Sequence, residues 1–149
     1  MNAEFYGNID PKGEYPSEGP RRVEYWAGVA LSLLPTGGLT RTRDAIQIDW
    51  GGERGIVVLC TPEAMELRLP TVEWTCGPYG PAPSSRLWRR IQYEKLDRDG
   101  LKSLFEKAWE ARKREFKRCK YCGEEYPPEH GFENNVCHGC ASEHEGVRF

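Results

Sequence analysis

The chain of 149 residues has no uninterrupted apolar segment approaching the ~20 residues that a membrane-spanning helix needs. Residues 1–20 are polar and broken by glycine and proline, without the apolar run of a secretory signal. A cytoplasmic setting is therefore expected, where thiols stay reduced or bind metal rather than forming disulfides. Neither sign of charge dominates, since 21 Lys and Arg stand against 23 Asp and Glu, so net charge predicts no partner. The Gly-Pro loop at 77–83 carries no lysine and lacks the G-x-x-x-x-G-K-S/T order of a phosphate loop. Acidic residues are plentiful, yet none is arranged differently from a solvated surface, and no residue receives a catalytic role.

The chain does have four cysteines in two C-x-x-C pairs, Cys119 with Cys122 and Cys137 with Cys140, separated by fourteen residues. Four thiolates at this spacing predict a tetrahedral zinc site. Two intervening residues let each pair bend around one metal, and Gly123 supplies the positive φ that such a knuckle often needs. Four sulfurs close the coordination shell, whereas a catalytic zinc keeps one position for water, so a single structural zinc is expected. His138 and His144 are close enough in sequence to replace a cysteine, but the simpler expectation is two solvent-facing imidazoles.

The runs Cys119-Lys120-Tyr121-Cys122-Gly123 and Cys137-His138-Gly139-Cys140 resemble the zinc-ribbon and treble-clef group of zinc fingers. The resemblance covers only residues 119–149. It implies a small hairpin-and-knuckle fold around the metal and little about activity, because such modules serve nucleic-acid binders, adaptors and enzymes alike. A helical turn over 141–145 ended by Gly146 would favour the treble-clef form.

Upstream, the sequence predicts an α+β fold in which a small antiparallel sheet packs against helices. Residues 1–20 read as an extended arm, with Phe5, Tyr6 and Tyr15 available for packing, 21–118 as the main domain, and 119–149 as the zinc module. Residues 23–34 are apolar with a period that fits either helix or strand; their length and the stop at Pro35 to Gly38 favour a helix. Alternation or short apolar runs at 46–50, 56–60 and 65–69, separated by turns, predict three strands of a meander. Residues 100–118 read as a long amphipathic helix capped by Asp99, with Leu101, Leu104, Phe105, Ala108, Trp109 and Phe116 on its apolar face.

Two basic stretches are candidate contacts for a protein or a nucleic acid. One is Arg86, Trp88, Arg89 and Arg90, whose blander reading is an amphipathic strand or turn with Leu87 and Ile91 inward. The other is the helix end, with Arg112, Lys113, Arg114, Lys117 and Arg118. Residues 100–118 hold seven basic and three acidic residues, and 119–149 hold two and six, so the helix end is expected to dock on the module of its own chain. An acidic finger is also a poor grip for phosphate. Of the two remaining cysteines, Cys60 is expected to be buried and inert, while Cys76, in an irregular loop, is the thiol to test for reactivity.

These features favour a non-enzymatic interaction or adaptor protein whose partner is another protein. The alternative is a nucleic-acid-binding zinc finger, and a membrane partner is not expected.

Overall fold

The computed structural model describes residues 19–73, 82–132 and 135–146. The expectations for residues 1–18 of the arm and for Cys76 lie outside these residues, while Gly19 and Pro20, assigned to the arm, open the first helix.

The first helix, α1 (Gly19–Leu33), begins with Pro20 in its first turn, a position where the missing N–H is harmless. Residues 25–30 are all buried, which explains the ambiguous period of the sequence: a helix enclosed on most sides needs no polar stripe. The helix reading holds.

Five strands follow as one antiparallel sheet in the order β1-β2-β3-β4-β5: β1 (Gly38–Arg41), β2 (Ile46–Trp50), β3 (Ile56–Cys60), β4 (Ala64–Glu73) and β5 (Ala82–Gln92). The three expected strands are its centre. Short turns join β1 to β2, β2 to β3 and β3 to β4, and the turn between β2 and β3 depends on glycine. Gly51 sits at φ 83°, and a Cβ on Gly55 would lie 1.6 Å from the Trp50 carbonyl oxygen. Ile46 and Ile48 of β2, Val58 and Cys60 of β3, and Met65, Leu67 and Leu69 of β4 form one buried face, against which α1 and the later helix pack.

Between β4 and β5 the register shifts at Leu67 and Arg68, so that Arg89 pairs with Leu67 while Leu87 pairs with Arg68. The shift leaves Trp88 as an extra residue. Ile91 packs against the core as expected, but Leu87, beyond the shift, is 51% exposed, and Trp88 packs inward in its place.

The second helix, α2 (Arg98–Glu115), is capped by Asp97 rather than Asp99. Asp97 Oδ1 accepts a hydrogen bond from the Gly100 N–H at 2.6 Å. Both aspartates have capping chemistry, but Leu96 and Leu101, one before the cap and one four residues after it, both belong to the core, and this pairing sets the entry point. Asp99 then lies in the first turn, where its charge suits the helix dipole. The buried stripe runs Leu101, Phe105, Ala108 and Arg112. Trp109 is at its exposed margin, edge-on to Trp50, and Phe116 lies just beyond the helix end. The architecture is α+β, with a second, smaller cluster of buried residues near the C-terminus built around the cysteines.

Candidate metal centre

Two short hairpins and a helix build the cysteine site. β6 (Lys117–Arg118) pairs with β7 (Glu125–Tyr126) around the first knuckle, and β8 (Gly131–Phe132) pairs with β9 (Val136–Cys137). The helix α3 (His138–Glu145) starts directly after Cys137 and places Cys140 in its first turn. Gly146 ends it at φ 68° with an N–H bonded back to Ala141, the stop that the sequence suggested.

The first knuckle is closed by its own backbone. Gly123, at φ 74°, donates to the Cys119 carbonyl at 3.0 Å, and the Cys119 N–H reaches the Glu124 carbonyl at 2.9 Å. The Lys120 N–H donates to the Asn135 carbonyl at 2.9 Å, tying the knuckle to the second hairpin. These contacts bring four sulfurs, from Cys119, Cys122, Cys137 and Cys140, within 4.8 Å of one another. None is in a disulfide.

The separations suit a metal. Thiolates about 2.3 Å from a tetrahedral centre lie about 3.8 Å apart, and the Cys122 and Cys137 sulfurs are 3.9 Å apart. Backbone N–H groups of Tyr121 and Cys137 point at the Cys119 sulfur from 3.4 and 3.5 Å. Burial would raise the Cys119 pKa, but N–H donors from Cys137, Cys122 and Tyr121 prevail and lower it to about 6. Burial and the neighbouring thiols push Cys140 the other way. A cation bound among the four sulfurs would favour their deprotonated forms.

No histidine joins this set. The His138 ring nitrogen is 3.0 Å from the Gly131 carbonyl, and the half-buried ring is not the solvent-facing imidazole expected. His144 is exposed and stacks on Tyr121 at 4.4 Å. Cys60 is fully buried in β3, and burial pushes its thiol up to about 12, in keeping with an inert role.

The basic helix end does contact the module, chiefly through Arg112. Arg112 is 0% exposed. Its guanidinium faces both carboxylate oxygens of Glu129, at 3.3 Å for Nη1 to Oε2 and in a shorter Nη2 to Oε1 contact. It also donates to Glu115 at 3.0 Å and to the Glu53 carbonyl at 2.8 Å. Arg112 is thus an internal clamp and not a surface for partners. Its partner Glu129 was unmarked in the sequence, since one Glu among six in the module carries no signal.

The other candidates stay outside. Lys113 pairs with Glu110 at 3.6 Å and lies over Trp109. Lys117 and Arg118 are exposed in β6, and the Arg118 guanidinium donates to the Gly123 carbonyl of the knuckle. Arg86 pairs with Glu115 across the gap from β5 to α2. Trp88 and Arg89 then line a groove of about 500 Å³ whose opposite wall, from α2, includes Lys107, Ala111 and Arg114 together with Glu106 and Glu110. Arg90, paired with Glu66, is exposed on the opposite face of the sheet. Arg89 and Arg114, one from each basic stretch, thus line one groove. Among the described residues no helix is long and apolar enough to cross a membrane. No protein-family model matches the chain, and no curated protein or solved structure matches it.

Proposed function

We propose that the four cysteines hold one structural zinc ion in a treble-clef-type finger, and that the chain is a non-enzymatic protein that holds another protein. The carrying observation is the quartet itself, four sulfurs within 4.8 Å of one another with two ligands from a knuckle and two from the start of a helix. A shell of four thiolates leaves no coordination site for substrate, so the metal's contribution is to fold the module. Tetrahedral sulfur ligation also suits iron, so metal identity is the first test. Elemental analysis should find one zinc per chain; iron with a visible absorption band would refute the reading. Reduced thiols fit a cytoplasmic protein.

Exposed Leu87 on β5 and Tyr121 on the knuckle are apolar contacts of the kind that protein interfaces cover. The tagged protein should retain a partner from host lysate at near-equal stoichiometry after nuclease treatment. Loss of all bound material to nuclease would favour the second reading, a nucleic-acid-binding protein. That reading has one specific support, the meeting of Trp88 and Arg89 with Lys107 and Arg114 in one groove. It would give a steep fall of affinity with added salt.

A further inference from the structure

Among the described residues, β5 lies at one end of the sheet order and is hydrogen-bonded to β4 alone among the strands. At eleven residues it is a long edge, and residues 86, 87, 89 and 90 are exposed along it. Natural sheets usually cover or break such an edge, because its outer N–H and C=O groups can pair with any extended chain. Beside this edge runs the groove of about 500 Å³, with β5 as one wall and α2 as the other. A strand laid along β5 would direct every second side chain into that groove.

We propose that β5 receives an extended acidic segment of a partner protein, which adds as a sixth antiparallel or parallel strand and places alternate side chains between β5 and α2. This deepens the protein-interaction reading and rests on it. Main-chain hydrogen bonds supply the pairing, and the groove supplies the choice of sequence. Arg89, Lys107 and Arg114 line the groove, and Arg90 is exposed on the other face of β5, beside the remaining side chains of an added strand, so carboxylates are the complementary side chains. Trp88 forms an apolar part of the wall and Leu87 an exposed apolar contact on the strand. The Arg86 to Glu115 pair bridges the strand and the end of the helix.

Two other occupants fit less well. A second copy pairing antiparallel through β5 would set the arginines of one chain against those of the other, and like charges on adjacent strands oppose pairing. Glu106 and Glu110 on the helix wall oppose a nucleic acid and an acidic peptide alike, so the strand edge decides against a nucleic acid. Its phosphates only accept hydrogen bonds, whereas an open strand edge offers both acceptors and donors.

The test is a selection of displayed random twelve-residue peptides against the full zinc-loaded protein. Enriched peptides should alternate Asp or Glu with apolar residues, and a synthetic winner should protect amides of 82–92 from hydrogen exchange. N-methylation of its backbone should abolish binding to the unaltered protein. An Arg89→Glu, Arg90→Glu variant, shown by circular dichroism and zinc content to be folded, should bind it about tenfold or more weakly. No enrichment, protection of another face, or binding indifferent to N-methylation would overturn the assignment, as would displacement by a single-stranded oligothymidine that binds more tightly than any peptide. The lysate experiment separates the two levels. A nuclease-resistant partner retained equally by the variant ends the β5 proposal and leaves the interaction reading standing; loss of every partner from the unaltered protein to nuclease ends both.

Discussion

Glu129→Ala should destabilise the protein by about 3–5 kcal/mol, because it strands a buried guanidinium. Arg112 is fully buried and the Glu129 side chain is 8% exposed, so solvent screens this pair little. Burial would lower the Arg112 pKa, but the carboxylates of Glu129 and then Glu115 outweigh it and hold the group charged. Removing Glu129 leaves Glu115 and the Glu53 carbonyl as partners, which keeps the loss toward the lower end of the range. Arg112→Ala removes all three contacts and should cost at least as much. In a double-mutant cycle the pair should show a coupling energy of about 1–3 kcal/mol. Urea denaturation of the zinc-loaded protein gives the free energies, and hydrogen exchange across 117–146 shows whether the module has come loose. At about 2–4 °C per kcal/mol for a chain of this size, the Tm should fall by about 10 °C in Glu129→Ala. A change below about 0.5 kcal/mol, as for an ordinary surface pair, would show that Arg112 does not clamp the module.

Chelation should release one metal ion per chain and unfold 119–146 while the sheet persists, as followed by hydrogen exchange, and Cys122→Ser or Cys137→Ser should reproduce this without chelator; an unchanged thermal melt in either variant would contradict a structural role. The Cys60 thiol, raised from 9.0 to about 12, binds its proton more tightly folded than unfolded. Stability should therefore decline as pH rises above about 9, and Cys60→Ala should flatten that alkaline slope in denaturation curves at pH 7, 9 and 10.5; an identical slope would reject the assignment. Asp97→Ala should cost about 1 kcal/mol through the lost cap, and Asp99→Ala only about 0.3–0.5 kcal/mol through the dipole, so equal losses by urea denaturation would place the cap wrongly.

The cysteine quartet was legible because metal geometry restricts spacing: two residues between ligands is nearly all that a knuckle allows, and Gly123 marks the turn. The central strands were legible because one wet face imposes alternation on β4. Where a local rule admitted two answers, the tertiary structure decided. Asp97 and Asp99 are equal as caps until Leu96 and Leu101 are seen to share the core. In β5 one unpaired residue reverses the facing of Leu87 beyond it, and a register shift that originates in the strand partnership leaves no mark on the Arg-Leu-Trp-Arg run itself. Arg112 shows the limit most clearly. Within a run of basic residues it reads as surface, and only the fold reveals that it continues the stripe of Leu101, Phe105 and Ala108 into the interior.

The charge of the helix end and the acidity of the module make sense together in this light. Among the described residues the module's buried cluster is Cys119, Tyr126, Val136, Cys140 and Ala141, a small core of the kind that a metal completes. A metal bound by the four cysteines would fix the module's internal shape, but not where the module sits. That is set by Glu129, which projects from the turn before β8 onto Arg112. Arg112 also holds Glu115, and Glu115 in turn holds Arg86 of β5. A single line of alternating charges therefore runs from the finger through the last turn of α2 to the exposed edge strand. The buried member of that line must be an arginine: its planar fork meets Glu129 on one side and Glu115 on the other while its Nε reaches the Glu53 carbonyl, and a lysine's single ammonium cannot reproduce that set.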